Sequence, residues 1–351
     1  MRKNKFFNGK KKKLLGFAAG ILALCMTGSL VYGAGETVDM ESADSQEQMV
    51  KSYLTGEDVP ESVGRRRPVA VMLGNNIEGA PQSGTTHAGV IYEAPVEGGI
   101  TRLMGIFEDY DSLEKIGSVR SCRDYYIFYA NEFDAIYAHY GQAAYALQYL
   151  DNGVIDNLNG LVLGGTAFYR TSDRQAPHNA YTSAEYLQRG IDAKGYRQTY
   201  KDGYTGHYQF SDTEVIPDSD CTANIVHMDN FSDNHPWFEY NADTKKYSRF
   251  QYGQAHIDET TGEQLTCDNI ILQYSNYQPY DANGYLNIDT SSGGQGKYIT
   301  RGKAMDITWS KDDASGITHY YDTAGQEISL NPGKTWVEIV LNDSLDGVTF
   351  Q

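Results

Sequence analysis

The sequence predicts a mixed fold of class α+β or α/β, in two domains behind an N-terminal membrane segment. The first domain, over residues 68–205, is an α/β layered domain, and the second, over residues 222–351, is mostly antiparallel β. Three observations support this prediction. Apolar strand-like runs alternate with helix-like windows in the first half, aromatic and β-branched runs separated by turn signals fill the second half, and a basic N-terminus precedes a long uncharged run.

The N-terminus has the features of a secretory signal or a membrane anchor. Residues 1–13 carry seven basic side chains and no acidic one, and residues 14–33 are uncharged and mostly apolar. A run of this length can cross a bilayer core of about 30 Å with its basic end inside. Cleavage near residue 33 and lipid attachment at Cys25 stay open, although the bulky Leu24 disfavours lipid attachment. We expect an uncleaved anchor, with the rest of the chain on the extracytoplasmic face of the cell membrane.

The exported part of the chain is strongly acidic. After residue 33 it has 22 Lys and Arg against 46 Asp and Glu, a net charge of about −24. Such a surface repels nucleic acid, so no nucleic-acid partner is expected. Residues 34–67 lack apolar periodicity and end in three arginines, which is typical of a linker. The three cysteines after residue 33 exclude a complete disulfide framework and allow at most one bridge, between Cys221 and Cys267.

The α/β domain is predicted element by element. Residues 68–75 form a continuous apolar run, as expected of a buried strand. Residues 89–92 and 102–107 are two more strand candidates around a turn-rich segment. Ser121 with Asp124 three residues later resembles a capping box at a helix start. The other predicted elements are the helix from Ser121 to about Asn131, a strand over 134–140, a helix over 142–150, a short strand over 160–164 and a helix from residue 183.

The β domain is predicted from hairpin signals. An inter-domain segment over residues 206–221 separates it from the α/β domain. Beyond this segment, turn-forming sequences at residues 241–243, 259–262, 281–284 and 322–325 separate short strand-like runs. These runs begin near residues 223, 237, 246, 255, 268, 303, 317 and 335.

Two arginines flank the predicted start of the first long helix. Arg120 and Arg123 lie on either side of Ser121, where a helix N-terminus already carries partial positive charge. Two cations there destabilise the helix unless a negative group compensates them. A bound anion could do so, and so could an internal carboxylate, namely Glu93, Glu97 or Asp124. The sequence leaves both interpretations open.

Polar residues at strand ends and in one loop complete a candidate cationic pocket. His139 lies at the carboxyl end of a predicted strand, the edge where ligands collect in open α/β sheets, although it could equally be structural. A polar loop follows near residues 169–182. The candidate ligand-binding residues are Glu93, Glu97, Arg102, Arg120, Arg123, His139, Arg174, His178 and Asn179.

Two other chemistries are weaker hypotheses. Cys122 lies between two arginines at a predicted helix start, where a lowered pKa would suit a thiolate nucleophile with His139 or His178 as its base. The simpler interpretation is a small packed residue. Glu93, His139 and His178 could instead bind a metal, but the neighbouring arginines oppose a cation. We expect neither a metal nor a cofactor.

Eight short motifs stand out along the chain. They are RPVAVM (67–72), PQSG (81–84), YEA (92–94), VEGGITR (96–102), IGSVRS (116–121), APHN (176–179), GKAMDITW (302–309) and LNPGKTW (330–336). Together they resemble the YerB-like lipoprotein family, over about residues 67–341. The resemblance implies two domains of uncharacterised function at the outer face of a Gram-positive-type membrane, and no established catalytic mechanism. The chain departs from the family pattern at Cys25, which lacks a proper lipid attachment signal, and at Cys122, which replaces a small residue.

These observations predict a membrane-anchored extracytoplasmic protein whose α/β domain binds an anionic cell-envelope ligand. A wall-precursor phosphate, a peptidoglycan carboxylate and an acidic peptide of a partner are all admissible. One alternative is a cell-wall-acting enzyme that uses Glu93 or Glu97 with His139 and His178 as acid–base groups. Another is a scaffold for wall-synthesis proteins, with the β domain as the docking surface.

Overall fold

The computed structural model describes residues 47–311 and 316–351. The anchor predicted over residues 1–33 lies outside these ranges, as do residues 34–46 of the predicted linker. Within the described ranges, no helix is both long and apolar enough to cross a membrane.

The described chain is mostly β-structure with a few helices. The α-helices are α1 (Glu61–Gly64), α2 (Asp124–Glu132), α3 (Leu147–Asp151) and α4 (Ala184–Lys194), and short 3-10 turns lie at Ile77–Gly79, Thr85–His87, Glu97–Gly99, Ala144–Ala146 and Leu345–Gly347. The strands are β1 (Met49–Lys51), β2 (Asp58–Pro60), β3 (Val69–Gly74), β4 (Val90–Pro95), β5 (Thr101–Phe107), β6 (Ile116–Gly117), β7 (Ile136–His139), β8 (Asn157–Asn159), β9 (Tyr169–Arg170), β10 (Ala180–Thr182), β11 (Ile225–Met228), β12 (Trp237–Asn241), β13 (Lys246–Gln251), β14 (Gln254–Ala255), β15 (Thr266–Cys267), β16 (Asn269–Ser275), β17 (Tyr277–Pro279), β18 (Leu286–Ile288), β19 (Gly294–Thr300), β20 (Lys303–Ser310), β21 (His319–Tyr321), β22 (Thr335–Leu341) and β23 (Val348–Phe350).

A ten-stranded sheet takes strands from both predicted domains. Its order is β21-β20-β19-β16-β22-β4-β5-β3-β7-β8. The two halves of the chain meet where β22 pairs in parallel with β4, and β22 is also parallel to β16. Within the second half, the β16–β22 pair is parallel and the other strand pairs are antiparallel, in agreement with the mostly antiparallel domain that the sequence predicts. Strands β4 and β22 can lie at the centre because both are apolar and almost entirely buried.

Each face of the large sheet carries a hydrophobic core. On one face, Met104 of β5 belongs to a core with Tyr126 of α2. On the other face, Trp336 of β22 packs against Phe238 of the smaller antiparallel sheet β14-β13-β12-β11-β23, with ring centroids 5.6 Å apart. Successive strand residues point to opposite faces, so alternate side chains of one strand enter different cores. Because of this alternation, candidate site residues that are neighbours along a strand lie on opposite faces of the sheet and have different surroundings.

The part of the predicted linker that the structure describes is folded. Residues 47–67 contain β1, β2 and α1, and Leu54 is fully buried in the core on the α2 side. Arg67 is also buried and donates hydrogen bonds of 2.6 Å to the Asp134 carbonyl and the Asp156 carboxylate. The absence of apolar periodicity was misleading because these elements are too short to show a period.

Two local predictions in the first domain were wrong. Helix α2 begins at Asp124 with Arg123 in the N-cap position and without a side-chain cap. Ser121 makes no capping box; its hydroxyl donates to the Tyr140 carbonyl instead. The short strand predicted over 160–164 lies earlier, at β8, and the glycine-flanked run that suggested it forms turns.

We expect the segment around residues 212–220 to be the first site of limited proteolysis. It contains no helix or strand, and Ile216 is 60% exposed. After thermolysin cleavage there, the fragments should remain associated, because β22 stays hydrogen-bonded to β4. A denaturing gel should then show two bands while size-exclusion chromatography shows one species. Separate elution of the fragments, or a first cut within residues 125–140, would contradict this expectation.

Candidate functional site

Parallel strands bring several candidate residues to one edge of the large sheet. Strands β3, β7 and β8 run parallel, so their carboxyl ends lie together. The segment 118–122 runs between the ends of β3 and β7, where the Arg120 amide donates to the Met72 carbonyl and the Tyr140 amide donates to the Arg120 carbonyl, both at 2.9 Å. We call this region the carboxyl edge. It is the position at which open α/β sheets commonly bind ligands.

Three arginines gather at the carboxyl edge with one close carboxylate. Arg123 forms a two-pronged ion pair with Glu97, in which Nε donates to Oε2 at 2.8 Å and Nη2 donates to Oε1. Arg102 donates to the Ser121 carbonyl at 2.6 Å. The Arg120 side chain makes no hydrogen bond to any described residue, although its Nε is buried. We call Arg102, Arg120 and Arg123 the arginine cluster.

The arginine cluster carries excess positive charge. Burial, followed by repulsion from Arg123 and Arg120, lowers the pKa of Arg102 to about 10. Burial and Arg123 also lower the pKa of Arg120. Although burial opposes it, hydrogen bonding and attraction from Arg123 hold the pKa of Glu97 below its ordinary value. Glu97 therefore serves mainly Arg123, and Arg120 is left without a counter-ion of its own.

Two more polar atoms without partners lie beside Arg120. Ser118 is fully buried, and neither its Oγ nor Nδ1 of His178 has a hydrogen-bond partner among the described residues. A methyl group added at Gly79 would lie 3.3 Å from Ser118 Oγ and 3.6 Å from His178 Nδ1, and one added at Gly74 would lie 3.1 Å from the same Ser118 Oγ and 3.0 Å from Arg120 Cγ. Any side chain at either glycine would therefore be crowded against these polar groups, and the two glycines leave the groups uncovered by carbon. We call the position beside Gly79 the Gly79 hollow.

His178 is held in its neutral form by its surroundings. Burial lowers its pKa, Arg120 and Arg174 lower it further, and Glu78 opposes them. A negative ligand beside Arg120 would reverse this effect by favouring the protonated ring.

Arg174 and Asn179 hold the loop that carries His178. Arg174 donates to the carbonyls of Gly79 at 2.7 Å and Pro81 at 2.9 Å, and pairs with Glu259 at 3.2 Å. Asn179 accepts a hydrogen bond from Arg170 at 2.6 Å. Their hydrogen-bonding groups are used within the protein, so both residues position the loop.

His139 is a buried structural residue. Its Nδ1–H donates to the Gly141 carbonyl at 2.8 Å, and its Nε2 lies 3.3 Å from Asn157 Oδ1. Burial lowers its pKa. Because the ring is fully buried, it offers no free nitrogen to a ligand at the carboxyl edge.

Glu93 does not join the arginine cluster. Ala94 of β4, rather than Glu93, is the register partner of Arg102, so Glu93 and Arg102 point to opposite faces of the sheet. On its own face, Glu93 accepts hydrogen bonds from Asn75 at 2.9 Å and Asn234 at 3.0 Å, and it pairs closely with Arg249. The prediction of one pocket that holds all the candidate residues was therefore wrong.

The sequence analysis missed a buried ion network, formed by Glu93, Arg249 and Glu338. All three residues are 0% exposed. Glu338 of β22 is the register partner of Glu93 of β4, and its Oε1 lies 4.0 Å from Arg249 Nη2. Burial and the neighbouring Glu93 raise the pKa of Glu338 well above its ordinary value. The available signal was a single glutamate inside the apolar run TWVEIVL.

The nucleophile and disulfide hypotheses fail. Cys122 is fully buried, and burial raises the pKa of its thiol to about 12, the opposite of thiolate activation. Cys221 and Cys267 are both free, so the bridge between them is absent. In the described ranges, no group of three or more His, Cys, Asp and Glu side chains is placed to hold a metal ion.

Comparisons with known proteins place the chain in a family. The family described as protein of unknown function (DUF3048) matches through its N-terminal domain at residues 54–197 and its C-terminal domain at residues 226–337. The chain belongs to the DUF3048 family. A Bacillus subtilis (strain 168) relative, "Putative lipoprotein YerB", is 32% identical over 330 residues, which cover 91% of this chain and 94% of the relative.

A solved structure agrees with this assignment. The crystal structure of YerB from Bacillus subtilis matches with a TM-score of 0.77 and 30% identity, and the match covers 86% of this chain and 99% of that one. The resemblance inferred from the eight motifs is confirmed, and so is the prediction of two domains. The structure of this DUF3048 protein is largely β with a few helices, whereas the sequence predicted an α/β layered first domain. The function of the family is unknown, so what the site does must be argued from its geometry.

In this DUF3048 protein, the carboxyl edge offers hydrogen-bond donors and positive charge. The acid–base set of the enzyme hypothesis is not assembled, because Glu93 lies on the other face, His139 is enclosed and Glu97 is paired with Arg123. What remains available is Arg120 with Ser118 and His178. This arrangement is suited to holding an anion.

Proposed function

We propose that this DUF3048 protein is an extracytoplasmic, membrane-associated protein that binds an anionic cell-envelope ligand at the carboxyl edge. The observation that carries the proposal is Arg120, a half-buried guanidinium with a buried Nε and no hydrogen-bond partner in the described chain. The basic N-terminus followed by uncharged residues 14–33 supports membrane association, and so does the lipoprotein name of the Bacillus relative.

The charge balance supports an anion in particular. Buried polar groups are nearly always hydrogen-bonded, and leaving a donor unsatisfied costs about 1–3 kcal/mol, more when it is charged. A phosphate or carboxylate would satisfy Arg120 with charge-assisted hydrogen bonds and would offset the repulsion from Arg102 and Arg123. Ser118 Oγ and His178 Nδ1 supply further donors at the Gly79 hollow. The ligand class is therefore an anionic group, a phosphate or a carboxylate.

The expected result with Arg120→Gln is an unchanged or slightly higher melting temperature without anions, because a repelling charge is removed. Sulfate and phosphate should raise the melting temperature of the wild type by several degrees, since an anion at about 100 times its Kd stabilises by about 2.7 kcal/mol. This gain should vanish in Arg120→Gln. Thermal melts with 0 and saturating sulfate or phosphate, at constant ionic strength, measure both effects.

Three variants control this experiment. Gly79→Ala keeps every charge but narrows the hollow, so it should weaken the anion response. Arg123→Gln should lose stability with and without anion, because it leaves Glu97 unpaired. Arg189→Gln removes an exposed arginine outside the site and should keep the full response. A wild type that responds to neither anion, or an Arg120→Gln variant that responds fully, would overturn the proposal.

A further inference from the structure

A second concave site lies between α2 and the β17–β18 hairpin. Its volume is about 400 Å³, within the range of roughly 300–1,000 Å³ that small-molecule sites span. Both halves of the chain contribute to it. The lining residues used below are Phe128, Tyr149, Tyr277, Asn276, Gln278 and Asn287. We call this site the aromatic groove.

Aromatic rings form the apolar part of the groove. Phe128 lies on the partly exposed side of α2, whereas most of that helix is buried. Its ring meets Tyr149 of α3 edge to face, with centroids 5.0 Å apart. Tyr277 borders the same space, half-buried, with its hydroxyl donating to Asp343 at 2.8 Å. Ring faces of this kind can stack on the C–H-rich faces of sugar rings, and their amphipathic bodies favour ligands that are partly apolar and partly polar.

The polar part of the groove consists mainly of neutral groups. Asn276, Gln278 and Asn287 are exposed, and the side chains of Gln278 and Asn287 have no hydrogen-bond partner among residues 47–311 and 316–351. An amide side chain offers both donors and an acceptor. Groups of this kind match hydroxyl and acetamido groups, which also donate and accept.

The two carboxylates of the groove each accept hydrogen bonds within the protein through one oxygen. Asp289 accepts hydrogen bonds from the amides of Ser291 at 2.9 Å and Ser292 at 3.0 Å. Asp124 accepts one from the Tyr280 hydroxyl. Only Oδ1 of Asp289 is used in these bonds, so the groove keeps a carboxylate oxygen that can accept a hydrogen bond from a ligand hydroxyl. The negative charge of this lining disfavours an anionic ligand.

We propose that the aromatic groove binds a neutral oligosaccharide. The aromatic faces supply stacking surface, the free amides supply paired donors and acceptors, and the free carboxylate oxygen of Asp289 supplies a further acceptor for hydroxyl groups. A cationic peptide is the competing occupant, since aromatic rings and carboxylates together can also attract ammonium groups. This inference does not depend on anion binding at Arg120.

Isothermal titration of the full-length protein in a sugar-free detergent tests the inference. The neutral probes are tri-N-acetylchitotriose and maltotriose, and the cationic probe is pentalysine. At least one trisaccharide should bind with one site per chain, and pentalysine should not. Phe128→Ala and Tyr149→Ala should each weaken trisaccharide binding about tenfold, as expected for the loss of one stacked ring. Tyr321→Ala removes a half-exposed aromatic outside the groove and should leave binding unchanged.

Substitutions of exposed residues at the rim of the groove test the inference without changing a residue of helix α2. Gln278→Ala and Asn287→Ala change exposed side chains, and both should weaken trisaccharide binding in a folded protein even if Phe128→Ala fails to fold. Absence of binding by both trisaccharides would overturn the inference. So would binding that is unaffected by all four groove substitutions, or pentalysine binding that Tyr149→Ala abolishes.

Discussion

Replacing Arg249 by methionine should lower the free energy of unfolding at pH 7 by about 3–5 kcal/mol, a large share of the 5–15 kcal/mol typical of a folded protein. Arg249 is the arginine that faces Glu93 and Glu338 between the two sheets, and all three are fully buried. Without it, Glu93 is a buried carboxylate with no cationic partner, which costs free energy because burial disfavours an uncompensated charge. Urea denaturation of the wild type and the variant measures the loss.

A double substitution separates the ion pair from the packing of Arg249. The guanidinium also lies 4.4 Å from the centre of the Trp336 ring, and methionine preserves much of that contact. If the lost pair is the cause, adding Glu93→Gln to Arg249→Met should recover much of the stability. Arg189→Gln, at an exposed pair, should change it by less than about 1 kcal/mol. A stable Arg249→Met variant would show that Glu93 does not depend on this arginine.

Replacing Glu338 by glutamine should stabilise the protein increasingly as the pH rises. Burial and Glu93 raise the pKa of Glu338 in the folded protein above that in the unfolded chain. The raised pKa contributes stability that is fully present below about pH 4.5 and is lost as the pH rises toward the folded pKa, because only the unfolded chain then releases the proton. Glutamine keeps the shape and a donor but has no proton to lose.

The difference between Glu338→Gln and the wild type should therefore grow by about 1.4 kcal/mol per pH unit, from about pH 4.5 up to the folded pKa. Urea denaturation of both proteins at pH 5, 6 and 7 measures it. Glu61→Gln, at an exposed position, should differ little from the wild type at every pH. If the difference in the free energy of unfolding between Glu338→Gln and the wild type does not change with pH, Glu338 has the same pKa in the folded and the unfolded chain, and the prediction is wrong.

Local sequence patterns predicted most elements of the fold. The run at residues 68–75 became β3, the run near residue 237 became β12, and the turn signal at residues 241–243 joins β12 to β13. These predictions succeed because strand alternation and turn chemistry act over a few residues. Those for residues 47–67 failed because β1, β2 and α1 are only three or four residues long.

The candidate site was predicted only in part. The sequence located the excess of arginine around residues 102–123, because the residues flanking α2 lie close together along the chain. It could not tell which arginine has a partner. Glu97 pairs with Arg123 rather than with Arg120, and a loop near residue 178 brings Ser118 and His178 to the same hollow. Such choices depend on loop conformation, which residue type alone does not specify.

The sequence by itself determined many of the strands, the family and the acidic character of the chain after residue 33, because these depend on local pattern or on composition. Only the tertiary structure decided that β22 joins β4 in parallel, that Glu93 faces Glu338 and that Arg249 lies over both. Glu93 and Arg249 are 156 residues apart along the chain, and the other partners in these contacts are also distant in sequence. These contacts depend on sheet register and on the packing of one sheet on another, and neither produces a periodic pattern in the sequence.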